Sequence, residues 1–287
     1  MGGVGSPRSA RRPGAAGSAE KPRSVWQALG VGLLLAALVL GTLFAGKLVF
    51  FVLAFVVVLL AQAELYAVLK AAGHSPIVVV GLLCGALLLI GAYRSGAPAM
   101  ALAVTAPVPL LLLWSLTVPI DRARAVIGST YLGIVYGPLL VGFAILLLRG
   151  PDGLVLTATV LGMTAFHDAG AYLLGRKIGR HPMAKRTSPG KTWEGFFAGT
   201  AVTIAASCAV LPLIHPFDLM LALKLSAVMS VTTPIGDLAE SLVKRDLGVK
   251  DMGSLVPGHG GFFDRIDAII FNAPVAYFVL RVLGWAP

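Results

Sequence analysis

The sequence predicts an all-α, polytopic integral membrane protein of about nine transmembrane helices, N-terminus inside and C-terminus outside. Three observations carry that reading. Of 287 residues, 57% are hydrophobic and 13% charged, and the mean hydropathy is +0.88, a balance that excludes an ordinary soluble domain. Nine apolar segments approach the ~20 residues that cross a bilayer core at about 1.5 Å each. Lys and Arg are also unevenly distributed about those segments: alternating sides hold 18 bases against four. By the positive-inside rule, the richer side is cytoplasmic.

Residues 1–24 are rich in Gly, Ala, Ser, Pro and Arg, with five bases against Glu20 alone, and read as a disordered cytoplasmic tail. The apolar segments follow at 26–45, 48–69, 77–93, 97–118, 126–148, 154–175, 193–213, 219–236 and 268–284. Links at 46–47 and 94–96 are short enough for tight hairpins. Residues 25–150 hold about five helices with few polar groups, whereas 151–287 hold about four helices and two polar cytoplasmic loops. Chemistry is therefore expected in the second part. Cys84 and Cys208 sit within apolar runs, far from metal-ligand spacing, and read as small core residues. The net charge of +10 lies between apolar runs, which favours topology signals and anionic partners over nucleic acid.

An ionisable side chain within the hydrocarbon costs ~2.5–3.5 kcal/mol on insertion scales, so each one needs a reason. Asp168 lies in TAFHDAGAYLLGR among small residues that permit close helix packing or close approach of a ligand. A buried polar contact between helices and a group facing a cavity both fit it. The stretch RTSPGKTWEG opens the seventh span, where Ser188 and Pro189 suit a helix N-terminal region, Gly190 permits close backbone approach, and Lys191 and Thr192 offer a cation and a hydroxyl. A helix start is a ready anion site. The GKT triplet is not a nucleotide P-loop, because Lys185 stands where that motif needs its first glycine.

In TPIGDLAESLVKRDLGVKD, the residues Asp237, Glu240, Ser241 and Lys244 fall at i, i+3, i+4 and i+7 and share one helical face. A solvated amphipathic helix gives the same spacing, but this face begins where a membrane span ends. In VPGHGGFFDRID, glycines around His259 make a turn that a ligand can approach closely, and Asp264 and Asp267 follow at i, i+3. Two carboxylates on one face repel unless a cation or shared proton lies between them. With Asp237 nearby, a site for a hard divalent cation such as Mg²⁺ is the economical explanation. Glu64 and Lys224, both within apolar runs, have no partner legible in the sequence.

The stretch SLVKRDLGVKDMGSLVPGHGGFFDRID resembles the signature of the phosphatidate cytidylyltransferases, and HDAGAYLLGR and SPGKTWEG resemble that family's upstream motifs. The likeness runs from about Phe166 to Asp267. Two positions depart from the pattern: Gly190 stands where a second Lys is usual, and His167 where a smaller polar residue is usual. The resemblance implies CTP and bilayer phosphatidate as substrates, CDP-diacylglycerol and pyrophosphate as products, and Mg²⁺ as cofactor with a second cation, K⁺ or divalent. It implies that Asp237 and Asp264 coordinate metal, supported by Asp168, Asp251 and Asp267. Lys191, Lys244, Arg245 and Lys250 would grip phosphates, Ser188 and Thr192 would donate hydrogen bonds, and His259, Gly260, Gly261 and Arg265 would bind substrate at the turn. It further implies a homodimer in the cell (plasma) membrane with its active site facing the cytoplasm. A CTP-dependent polyprenol kinase or a cytidylyltransferase for another lipid phosphate is the nearest alternative enzyme. A membrane transporter or lipid carrier, in which Asp168 and Lys224 serve an ion path, is the alternative of another class.

Overall fold

The computed structural model describes residues 25–253 and 260–285; the expected basic tail and His259 lie outside them. Helices α1 (Val25–Ala45) and α2 (Lys47–Ala71) form a hairpin at Gly46. Lys47 reaches across the bundle to the backbone carbonyls of Gly150 and its neighbours Arg149 and Pro151, where α7 (Leu140–Arg149) turns into α8 (Gly153–Ile178). A cation at carbonyls that no helix satisfies fixes that end of the bundle.

Helix α3 (Val78–Arg94) leads into α4 (Ala97–Thr105) and α5 (Pro107–Ser115), one membrane-length stretch divided at Pro107. Helix α6 (Ile120–Ile134) joins α7 through a widened turn at Val135–Leu139. Pro138 accounts for it: proline has no N–H to donate, and its ring pushes away the carbonyl one turn back. Buried polar bonds hold this half in register. Gln62 donates to the Gly81 carbonyl at 2.9 Å and Tyr66 to the Thr130 carbonyl at 2.7 Å, tying α2 to α3 and α6.

Between α8 and α9 (Trp193–Val210) the chain forms a short hairpin, β1 (Pro182–Ala184) antiparallel to β2 (Ser188–Thr192). The chain is all-α as expected apart from this one small sheet among the described residues. Helix α10 (Leu219–Asp246) then runs unbroken through Pro234, and α11 (Phe263–Val282) closes the bundle. Helices α8 and α9 meet almost backbone to backbone: a Cβ at Gly199 would lie 2.7 Å from the His167 carbonyl, and one at Gly195 2.9 Å from that of Ala171. Small residues are what allow such an approach.

Nine apolar segments all form helix, but not all as simple spans. Among the described residues, six stretches are by length and composition long and apolar enough to cross a membrane, while α3 is shorter. Helix α11 is absent from the six; it opens with Asp264, Arg265 and Asp267. The segment expected over 219–236 is part of a longer helix, so the polar face that follows it is rigidly continuous with the span.

Helices α8, α10 and α11 share a polar clamp. Asn272, wholly buried, donates to the hydroxyls of Thr164 at 2.7 Å and Thr233 at 2.8 Å and accepts from Thr232 at 2.6 Å. Substituting Asn272→Leu leaves those groups facing an apolar side chain, which costs about 1–3 kcal/mol. The expected outcome is a lower midpoint of thermal unfolding in detergent; an unchanged midpoint would show that the clamp adds no net stability.

Candidate active site

The hairpin positions the first cation. Ser188 precedes Pro189, and the pyrrolidine ring disfavours helical backbone at the residue before it, so Ser188 begins a strand instead of opening a helix. That corrects its expected placement. The N-cap is Thr192, whose hydroxyl accepts the Gly195 N–H at 3.2 Å. Glu194 folds the loop back by accepting the Arg180 and His181 N–H groups at 3.0 and 3.2 Å and meeting His181 Nδ1 at 2.5 Å. Lys191, held at the end of β2, forms an ion pair with Asp237 on α10.

These groups border a cavity of about 270 Å³ whose walls include His167, Asp168, Tyr172, Lys191, Phe196 and Asp237. It joins residues of α8, β2, α9 and α10. The Asp168 side chain is 47% exposed, and the His167 ring beside it is 2% exposed with neither nitrogen hydrogen-bonded. Two carboxylates face one lysine among aromatic walls, so an anion that carries a flat ring fits this hollow only together with a cation.

A second cluster lies further along α10. Lys244 bridges Glu240 at 3.0 Å and Asp264 at 2.9 Å. Asp264 also accepts N–H groups from Gly261 at 2.8 Å and Met252 at 3.1 Å, so it gathers the loop after α10, the glycine turn and α10 itself. The turn needs its glycines. Gly260 has φ +76, and a Cβ on Gly261 would fall 2.3 Å from a Glu64 carboxylate oxygen. Glu64 is 6% exposed and accepts the Phe263 N–H at 3.0 Å, satisfying a free donor at the start of α11. Its role was not legible in the sequence. An acid within an apolar run was the signal, but its partner lies 199 residues away.

Asp267 lies three residues after Asp264 in the first turns of α11 and is half-buried. Glu240 is 1% exposed, and beyond the ion pair with Lys244 its carboxylate oxygens have no hydrogen-bond partner. Among the described residues, no three His, Cys, Asp or Glu side chains converge closely enough to hold a metal by themselves. In kind, the groups nevertheless fit a hard cation, because Asp168, Asp237, Asp267 and Glu240 offer only carboxylate oxygens. Mg²⁺ commonly takes one or two carboxylates and completes its shell with water and substrate phosphate.

The other expected site residues are arranged differently. Arg245 donates to the Val249 carbonyl at 3.2 Å and is exposed, as are Lys250, Asp251 and Arg265. None of the four borders the cavity at Lys191. Lys224 is exposed on α10, away from both clusters.

A family model described as the cytidylyltransferase family matches residues 26–283. The chain belongs to the cytidylyltransferase family. Individual relatives agree. It is 39% identical over 146 residues to a phosphatidate cytidylyltransferase of Mycobacterium leprae, covering 51% of this chain and 47% of that protein. It is 38% identical over 136 residues to a phosphatidate cytidylyltransferase of Pseudomonas aeruginosa, covering 47% and 49%. An uncharacterized protein of Escherichia coli is 40% identical over 129 residues, covering 45% and 43%. The chain thus spans about half the length of these relatives.

The two glycines that sequence reading treats alike separate here. A Cβ at Gly190 meets no atom within 4 Å, whereas one at Gly261 collides with Glu64. Gly261→Ala is therefore expected to lower the thermal midpoint and expose the turn to protease, with Gly190→Ala matching wild type. Equal behaviour of the two variants would remove Glu64 from the turn.

Proposed function

We propose that the protein is a phosphatidate cytidylyltransferase, converting CTP and phosphatidate to CDP-diacylglycerol and pyrophosphate in phospholipid biosynthesis. The observation that carries the reading is the pairing of Lys191 with Asp237 and of Lys244 with Asp264 along one face of α10, in a chain of the cytidylyltransferase family. Both substrates are polyanions, and one is anchored in the bilayer. Membrane-length helices supporting two lysine–carboxylate pairs answer both needs.

In this reading an oxygen of the lipid phosphate attacks the α-phosphorus of CTP, and the bond to the β-phosphate oxygen breaks in line. A phosphate monoester is already an anionic nucleophile near neutral pH, so positioning and charge neutralisation account for most of the rate. Lys191 and Lys244 are each paired with a carboxylate and exchange it for phosphate oxygens when substrate arrives. His167 and Phe196 wall the nucleotide side of the cavity. Asp237 and Asp267, with Asp168 beside the cavity, are the residues proposed to hold Mg²⁺ and a second cation. Such ions would neutralise charge on the attacking and leaving oxygens. Asp264, proposed from the signature as a further metal ligand, also organises the turn. A cytoplasm-facing site, nine crossings with the N-terminus inside, the plasma membrane and a homodimer belong to the same proposal.

The test is CDP-diacylglycerol formation by purified protein from phosphatidate and labelled CTP, with Mg²⁺ present or chelated. Product that requires Mg²⁺ is expected; none from folded protein in lipid-containing micelles would refute the reading. Asp264→Asn is expected to turn over at less than a tenth of the wild-type rate, a loss of at least ~1.4 kcal/mol in transition-state stabilisation. Glu240 continues to neutralise Lys244 in that variant, so the fold should persist. A rate above a tenth removes the Asp264 charge from the chemistry. Lys191→Ala is expected to raise KM for CTP or phosphatidate, and unchanged kinetics with both would exclude it from the site.

A further inference from the structure

A groove of about 620 Å³ runs between α1, α2, α8 and α11. Its origin is a packing gap: α1 packs chiefly on its hairpin partner α2 and stands off α8 and α11. Leu35 and Val39 supply the α1 wall, Leu161 and Ala165 the α8 wall, and Ile269 part of the α11 wall.

The walls are aliphatic except at one end, where Arg265 sits beside Phe262. That end is also the catalytic end, since Arg265 directly follows Asp264 in the first turn of α11. Arg265 is exposed and, among the described residues, makes no ion pair, although acids flank it at 264 and 267. An apolar channel that ends at one guanidinium without an ion pair among the described residues is complementary to a fatty acyl chain that carries an anionic phosphate head. A nucleotide would leave the channel empty, and an uncharged hydrocarbon would leave the cation unanswered.

We propose that this groove seats an acyl chain of the lipid phosphate substrate, with Arg265 holding its phosphate at the mouth beside Asp264. The inference rests on the cytidylyltransferase reading and adds to it the side from which the lipid enters: between α1 and α8, not between α8 and α9. A smaller hollow of about 280 Å³ on the α8–α9 side has no basic residue on its walls.

Ala165 borders only the larger groove and Ala206 only the smaller one, so Trp at each position tests the two sides separately. With dioleoyl phosphatidate, Ala165→Trp is expected to raise KM about fivefold or more. KM for CTP, and for dihexanoyl phosphatidate whose chains are too short to fill the groove, should stay within about twofold. Ala206→Trp should match wild type. An equal loss with both chain lengths, no change at all, or the same effect from Ala206→Trp overturns the proposal. A binding readout separates this failure from failure of the catalytic reading. Phosphatidate with a photoreactive group in its acyl chain, irradiated with the full-length protein in vesicles, is expected to label α8 and α11 peptides, and unlabelled phosphatidate should compete. Arg265→Ala should weaken that labelling and Arg265→Lys partly restore it. Labelling confined to other helices, or uncompeted labelling by bulk lipid only, overturns the groove even if the enzyme turns over.

Discussion

The ion pair between Lys244 and Asp264 ties the end of α10 to the start of α11. It joins α10 to α11 at 2.9 Å, and the same carboxylate collects N–H groups from Met252 and Gly261. One side chain thereby fixes the end of a membrane-length helix, the loop that leaves it and the turn that starts the next. A charge so placed is stable only with its partners: truncating one member of a buried pair strands the other, commonly at a cost of about 3–5 kcal/mol. Glu240 moderates that risk by sharing Lys244.

The rest of the site is arranged around this anchor. Glu64 supports the glycine turn from α2, so the apolar first half takes part in the site through one carboxylate. On the other side, close packing of α8 against α9 brings His167 and Asp168 to the cavity that Lys191 and Asp237 border. Each lysine–carboxylate pair takes one member from α10, so a single rigid helix sets an anion-accepting cation at either end of its polar face. In the proposed reaction, incoming phosphates replace carboxylates there without assembling the cations anew, which is the economy of a preorganised site.

Much of this was legible in the chain. The nine apolar segments appear as helices, and the polar positions of α10 share a face as their i, i+3, i+4, i+7 spacing required. What periodicity could not convey was the local backbone. Ser188 reads as a helix start because Ser and Pro favour that position, yet Pro189 imposes extended backbone on it and Thr192 takes the cap. Likewise, hydropathy averages conceal that α11 opens with three charged residues, and that Pro107 and Pro138 interrupt otherwise continuous apolar runs.

Membrane class and the helical segments could be read from the chain alone, because they depend on composition and on spacing within one element. Which charges meet is a matter of the packed bundle. Glu64 with the Phe263 N–H, Lys191 with Asp237, and Asn272 with two threonines are partners separated by 199, 46 and by 108 and 39 residues. Partnerships across such separations are set by how helices pack, and packing follows from side-chain shape along whole faces, which no local pattern records.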